Sequence, residues 1–209
     1  MSRLADRDLR VADQAASVLL QYPDEEVARR IPLVQEALDT LPPGAPRDRL
    51  AQFLRHLEAA GPRAMAQQYV ETFDFRRRSC LYLTYYTAGD TRRRGAALGR
   101  LKQRYAAAGL ALQGGELPDF LPVVLEFTAA TGEREVLVEH RPALALLRLA
   151  LEESGSPYAL VVQALCATLP GPSPRDHEAV LALAASGPPR EEVGLEPYPV
   201  VPAARTGRR

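Results

Sequence analysis

The feature that most constrains this chain is a helical spacing of apolar residues, interrupted by proline and glycine. From Leu4 to about Ala185, apolar residues recur three or four positions apart, which places them on one side of an α-helix. One stripe stops at Tyr22-Pro23 and another at Gly61-Pro62, because proline cannot donate the next backbone hydrogen bond of a helix. The pattern predicts an all-α fold, built as a single-domain helical bundle.

Local signals predict where several helices begin. Asp24 precedes "EEVARRIPLV" and Asp90 precedes "TRRRGAALGRLKQRY", and each aspartate is expected to cap its helix by accepting from the first backbone amides. Three more helices are expected at 133–153, 157–168 and 175–185. The stretch "CLYLTYYT" at 80–87 has strand propensity. We expect it to be helical, with its three tyrosines on one face, because a lone strand would have no partner.

The domain organisation follows from length and composition. A chain of 209 residues can bury one substantial core, and we expect one helical domain over residues 1–185. Residues 186–209 carry proline, glycine and charge, and a disordered tail is expected there. With no long apolar run at the start and a formal net charge of zero, the sequence predicts a cytoplasmic protein without membrane insertion.

The groups that catalysis needs are sparse in this sequence. His56, His140 and His177 stand outside any metal-ligand spacing, so surface histidines without a metal are expected. The candidate nucleophile is Cys80, whose thiol pKa would be lowered if the neighbouring Arg78 favoured the thiolate. We favour a structural thiol, because no histidine can be placed beside Cys80. The prediction is a protein that is not an enzyme and has no catalytic residues.

Aromatic residues concentrate between Tyr69 and Tyr86, and arginine triplets lie at 76–78 and 92–94. Tyrosines flanked by arginines occur in proteins that bind single-stranded nucleic acid. Affinity for a polyanion normally requires a net basic domain, which this neutral chain lacks. A peptide site with aromatic anchors and a charged rim fits the same residues better, although core packing explains each aromatic residue about as well.

Three segments together resemble a known family. They are "LLQYPDEE" at 19–26, "YVETFDFRRRSCLYLTYYTAGDTRRRG" at 69–95 and "ELPDFLPVVLEF" at 116–127. They look like the signature segments of the NarJ-type chaperones that assemble respiratory nitrate reductase, within the TorD/DmsD family of redox-enzyme maturation proteins. The resemblance covers about residues 10–185 and implies the all-helical chaperone fold of the TorD/NarJ type.

The resemblance also implies a function. Such chaperones bind the N-terminal peptide of the nitrate reductase catalytic (alpha) subunit. They hold the apo-enzyme open to molybdenum cofactor insertion, and they prevent premature docking to the membrane subunit. The chaperone is expected to bind no cofactor stably itself. An alternative is that the arginine triplets bind the pyrophosphate of a molybdopterin dinucleotide directly.

The expected peptide-binding residues come from both central motifs. Asp90 could equally be a helix cap and Phe120 a core residue, so the sequence leaves their roles open. The residues are Tyr69, Phe73, Tyr82, Tyr85, Tyr86, Asp90, Arg92, Arg94, Glu116, Asp119, Phe120 and Glu126.

Overall fold

The computed structural model describes residues 4–171 and 174–187, with the side chains of Arg77 and several residues of the last helix left out. Within these residues the chain is helical, which confirms the predicted all-α class. The helices are α1 (Asp6–Leu19), α2 (Glu25–Asp39), α3 (Ala45–Ala60), α4 (Pro62–Tyr69), α5 (Leu83–Ala88), α6 (Arg92–Ala107), α7 (Leu121–Thr131), α8 (Glu135–Glu139), α9 (Arg141–Glu153), α10 (Ala159–Thr168) and α11 (Pro174–Ser186). The predicted tail lies outside the described residues, apart from Ser186 and Gly187.

The apolar stripes of the sequence become the core. Helix α1 packs against α7, α2 and α10, α3 packs against α10, and α9 lies against α10 and α11. The fully buried side chains include Leu20, Leu38, Phe53, Met65 and Leu125. Helices α1, α2, α3, α7, α9 and α10 each bury apolar side chains against a neighbouring helix, as the amphipathic spacing requires.

A buried ion pair ties α1 to the segment before α8. Asp13 is only 1% exposed, and its two carboxylate oxygens accept from Arg134 Nε at 2.8 Å and Nη2 at 2.9 Å. Thr128 Oγ1 donates to the same carboxylate at 2.9 Å, and Arg134 also donates to Thr168 Oγ1 at 2.6 Å. This network, called here the α1 tie, joins helices α1, α7 and α10 through polar groups in the core.

Some predicted boundaries are confirmed and some are wrong. Asp24 caps α2, accepting from Val27 N–H at 2.9 Å. The cap of α6 is Thr91 rather than the predicted Asp90, since Thr91 Oγ1 accepts from Arg93 N–H at 3.3 Å. The predicted helix over 133–153 is two helices that meet at His140.

The segment after α4 departs most from its prediction. A five-residue π-helix (Val70–Asp74) continues α4, and a short 3₁₀ turn (Arg77–Ser79) follows it. The predicted helix over 80–87 begins only at Leu83, because Tyr82 forms an antiparallel bridge with Phe120. The argument that an extended residue here would lack a partner was wrong, since the second motif supplies that partner.

Candidate functional site

The bridge between Tyr82 and Phe120 brings the two central sequence motifs together. Leu83 N–H donates to Asp119 O at 3.0 Å, and Leu121 N–H donates to Leu81 O at 2.8 Å. The rings of Tyr82 and Phe120 then lie 5.2 Å apart between centroids. Residues 81–83 and 119–121 are therefore held in register by backbone hydrogen bonds.

Asp119 fixes this junction from inside the protein. Its side chain is fully buried, and its Oδ2 accepts from Thr84 N–H at 3.1 Å and from the Thr84 hydroxyl at 2.5 Å. Arg94 Nη2 lies 3.7 Å from the same oxygen. The structure thus places Asp119 as the acceptor that starts α5, where a bound peptide cannot reach it directly.

Arg94 and Tyr82 connect this junction to the surface. The Arg94 guanidinium lies 5.6 Å above the Tyr82 ring centroid and pairs with Asp90 at 3.2 Å. The Tyr82 hydroxyl donates to Glu116 Oε2 at 3.2 Å. Burial raises the pKa of Tyr82 to about 12, with Glu116 adding to the rise, so the hydroxyl keeps its proton and remains a donor at neutral pH.

Two of the predicted tyrosines lie in the core. The Tyr86 hydroxyl donates to Arg78 O at 2.9 Å and to Cys80 O at 3.0 Å. Tyr69 is buried in an aromatic cluster, with its ring 4.8 Å from Phe73 and 5.8 Å from Tyr158. Burial raises the pKa of both tyrosines. Tyr86 therefore fixes the turn over 78–80, and the edge of Tyr69 reaches a surface groove.

The groove lies between the start of α2 and the start of α7 and has a volume of about 310 Å³. Its lining is mostly apolar and acidic. Tyr22, which is 47% exposed, meets the Tyr69 ring edge to face at a centroid distance of 5.4 Å. The lining residues are Gln21, Tyr22, Asp24, Glu26, Val27, Tyr69, Glu116, Phe120, Pro122, Val123 and Glu126.

The rim of the groove carries negative charge. Asp24, Glu26, Glu116 and Glu126 contribute carboxylates, and none of the lining residues is basic. Glu26 is paired with Arg30 on the next turn of α2, which offsets part of that charge. Clefts lined by one sign of charge attract ligands of the opposite sign, so the groove suits a segment with apolar and basic side chains.

The predicted residues are only partly gathered at this groove. Tyr69, Glu116, Phe120 and Glu126 line it, whereas Tyr82, Arg94 and Asp119 form the junction behind Phe120. The remaining residues lie elsewhere: Phe73 packs on Tyr158, Tyr85 packs on Tyr86, Arg92 begins α6, and Asp90 precedes it. The predicted shared helical face of Tyr82, Tyr85 and Tyr86 is wrong, because Tyr82 precedes the helix.

Sequence reasoning missed most of the α1–α2 side of the groove. Tyr22, Asp24, Glu26 and Val27 belong to the segment "LLQYPDEE", which contributed to the family resemblance but supplied no predicted contact. The sequence pattern predicts only the end of a helix at Tyr22-Pro23. The sequence signal for this side is Tyr22, a large aromatic residue at the end of an apolar stripe. In the structure, the loop after α1 leaves its ring half exposed.

The hypothesis of an activated thiol at Cys80 is wrong. Burial raises the pKa of Cys80, and this effect outweighs the lowering by the charge of Arg94. The Arg78 side chain, on which the hypothesis relied, is 85% exposed and lies 3.9 Å from Glu153. A protonated, half-buried thiol is a poor nucleophile.

In residues 4–171 and 174–187, no three histidine, cysteine, aspartate or glutamate side chains gather as a metal site would require. No helix in the same ranges has both the length and the apolar character needed to cross a bilayer.

Comparison with known proteins assigns this combination of fold and motifs to a family. Residues 39–162 match the family model described as nitrate reductase delta subunit. The chain belongs to this family. The matched range contains both central motifs, the bridge between Tyr82 and Phe120, and the α7 side of the groove.

Two relatives of different length match this chain. The chain is 44% identical over 158 residues to the nitrate reductase-like protein NarX of Mycobacterium tuberculosis, covering 74% of this chain and 24% of that protein. It is 34% identical to the probable nitrate reductase molybdenum cofactor assembly chaperone NarJ of Bacillus subtilis, covering 78% of this chain and 90% of the relative. The chain thus spans about a quarter of NarX and most of the Bacillus protein. The predicted membership of the NarJ-type chaperones, rather than of an enzyme family, is confirmed.

A solved structure has the same fold. The crystal structure of a putative redox enzyme maturation protein from Archaeoglobus fulgidus matches with a TM-score of 0.59 and 24% sequence identity. The match covers 76% of this chain and 91% of that chain. The helical arrangement described above is therefore shared with an experimentally determined structure.

Proposed function

We propose that this protein is an assembly chaperone for a molybdenum-containing nitrate reductase, and that its groove holds the N-terminal segment of the catalytic subunit. The observation that carries the proposal is the groove itself, with Tyr22, Tyr69 and Phe120 as apolar walls and four carboxylates at the rim. Support also comes from the Bacillus relative, which is described as a probable nitrate reductase molybdenum cofactor assembly chaperone.

The geometry of the groove suits reversible binding of a peptide. Aromatic side chains at the centre of an interface contribute most of its affinity, and here Tyr22 and Phe120 offer such anchors. A groove of this size buries far less surface than a permanent interface does, which favours release once assembly is complete. The carboxylates add selectivity for basic residues and accelerate the encounter.

The chaperone role has two parts in this proposal. While the groove is occupied, the catalytic subunit is held in a form that can receive its molybdenum cofactor, and its docking to the membrane subunit is delayed. The cofactor belongs to the partner, and the chaperone is not proposed to bind it. Direct binding of a dinucleotide by the arginines gains no specific support, since Arg94 already interacts with Asp90 and the Tyr82 ring.

Isothermal titration with a synthetic peptide of the N-terminal segment of the catalytic subunit from the same organism tests the placement. We expect Tyr22→Ala to weaken binding by about tenfold or more, as loss of an aromatic anchor does. Leu33→Ala is the matched control, because Leu33 is 67% exposed on α2 and does not line the groove. Equal affinities of the wild type and Tyr22→Ala would contradict the placement.

Tyr22 is a better probe than Tyr86. Tyr86 is buried and its hydroxyl holds the 78–80 turn, so its removal would disturb the fold as well as any binding. The half-exposed ring of Tyr22 can be removed with little effect on the core. In cells, the Tyr22→Ala variant should leave more of the catalytic subunit without molybdenum, measurable by elemental analysis of the purified subunit.

A further inference from the structure

The groove has a chemical counterpart within the same chain. Residues 197–209 read "PYPVVPAARTGRR". This segment contains one aromatic and two valine side chains, Tyr198, Val200 and Val201, followed by three arginines, and it contains no acidic residue. An apolar segment with a basic end is the chemistry that the aromatic walls and the four carboxylates of the groove would bind.

The charges of the two parts are complementary. The groove lining contains Asp24, Glu26, Glu116 and Glu126 and no basic residue, with Glu26 paired to Arg30 beside it. Residues 197–209 carry Arg205, Arg208 and Arg209 and no acidic side chain. The nine residues before this segment, 188–196, contain three glutamates and one arginine. The positive charge is therefore concentrated in the last thirteen residues of the sequence, those that also carry the aromatic and valine side chains.

The connection gives the segment a reach comparable with the size of the domain. Nine residues separate Gly187, the last described residue, from Pro197, and nine extended residues can span about 30 Å. A folded domain of this length has a radius of gyration of about 16 Å. Three prolines in the segment lower the conformational entropy that it would lose on binding in an extended form.

We propose that residues 197–209 bind the acidic groove and compete there with the partner peptide. The inference rests on the proposed function, in that the groove is the same one and the tail acts as its internal competitor. A tethered segment has an effective concentration in the millimolar range when its linker matches the distance. Even weak binding would then keep the aromatic walls covered until a stronger partner segment displaces the tail.

Photo-crosslinking of the full chain tests the contact without any partner. A photoreactive amino acid replaces Val200, and mass spectrometry identifies the crosslinked residues. We expect crosslinks to residues 21–27 and 116–126, lost in the triple variant Arg205→Glu, Arg208→Glu and Arg209→Glu. The matched control reverses three exposed arginines of the helices, Arg29, Arg63 and Arg100, and should keep the crosslinks.

The same variants are then titrated with the partner peptide. The tail variant should bind it about threefold to tenfold more tightly than the wild type at low salt, as expected when three surface ion pairs of a competitor are lost. The control variant should not gain affinity. Crosslinks outside the groove, crosslinks between two copies of the chain, or unchanged affinity of the tail variant would each overturn the inference.

The two proposals fail in different ways. Groove crosslinks without any binding of the partner peptide would support the tail contact and contradict the proposed function. Binding of the partner peptide that depends on Tyr22 but not on the tail, with no groove crosslinks, would contradict only the inference about residues 197–209.

Discussion

Two buried aspartates in this protein each face an arginine, but their hydrogen bonding differs. Asp13 receives two hydrogen bonds from Arg134 and one from Thr128, so both of its oxygens have partners. Asp119 receives both of its hydrogen bonds from Thr84 on one oxygen. Among the described residues, its other oxygen and the Nε of Arg94 lack hydrogen-bond partners.

The fully paired Asp13 belongs to the α1 tie in the core, and the partly paired Asp119 belongs to the junction beside the groove. The α1 tie holds helices α1, α7 and α10 together through polar groups in the core. The Asp119 junction positions Phe120, which lines the groove, and its arginine lies 3.7 Å away rather than at hydrogen-bonding distance. Complete pairing of buried charges rigidifies a core, whereas the junction leaves Asp119 Oδ1 and Arg94 Nε without hydrogen-bond partners among the described residues.

The largest effect is expected at the α1 tie. Asp13→Ala would leave the Arg134 guanidinium, whose side chain is 12% exposed, without its carboxylate. Removing one partner of a buried pair costs about 3–5 kcal/mol, which urea unfolding would measure. Asp39→Ala is the control, because the side chain of Asp39 is 62% exposed beside Arg47 and such pairs contribute at most about 1 kcal/mol. Equal losses of unfolding free energy in Asp13→Ala and Asp39→Ala would contradict a larger contribution from the buried pair.

A smaller loss is expected at the junction. Asp119→Ala removes the acceptor of the Thr84 N–H and hydroxyl, and an unsatisfied buried donor costs about 1–3 kcal/mol. Arg94 is less affected than Arg134, since it retains Asp90 as a partner. Asp119→Asn keeps one acceptor oxygen and should cost less than the alanine variant in the same unfolding measurement. An equal loss of unfolding free energy in Asp119→Ala and Asp13→Ala would contradict the expected difference between the two aspartates.

Within the second arginine triplet, the neighbours Arg93 and Arg94 should differ. Arg94→Met removes the contact with the Tyr82 ring and the pair with Asp90, and it takes away the positive charge 3.7 Å from the buried Asp119. We expect a loss of at least about 1 kcal/mol. Arg93 is exposed, and Arg93→Met should change the unfolding free energy by less than about 0.5 kcal/mol. Equal unfolding free energies of Arg94→Met and Arg93→Met would contradict a structural role for Arg94.

The smallest effect is expected at Asp90. Because Thr91 supplies the cap of α6, Asp90→Ala removes only an exposed i,i+4 pair and should cost about 0.3–0.5 kcal/mol. Thr91→Ala removes the capping oxygen and should cost about 1 kcal/mol. Thermal unfolding of the two variants side by side distinguishes them. A larger loss at Asp90 would restore the capping role that the sequence predicted for it.

Much of the fold could be predicted because it depends on local patterns. The stripes that end at Tyr22-Pro23 and Gly61-Pro62, and the Asp24 cap, involve residues within one or two helical turns of each other. Residues Glu116, Phe120 and Glu126 of the second motif line the groove, and their role in peptide binding stays a prediction. The bridge between Tyr82 and Phe120 was not predictable in this way, since its partners are 38 positions apart in sequence.

The sequence by itself determined the helical class, most helix boundaries and the family of this protein, because apolar periodicity, proline and a long motif act over short distances along the chain. The tertiary structure decided which aromatic residues are core and which reach the surface. Tyr86 and Tyr22 are both tyrosines beside apolar residues, yet one is buried and the other is half exposed. Burial depends on contacts between segments far apart in sequence: α5, which carries Tyr86, packs against α9, whereas Tyr22 lies between α1 and α2, beside the groove.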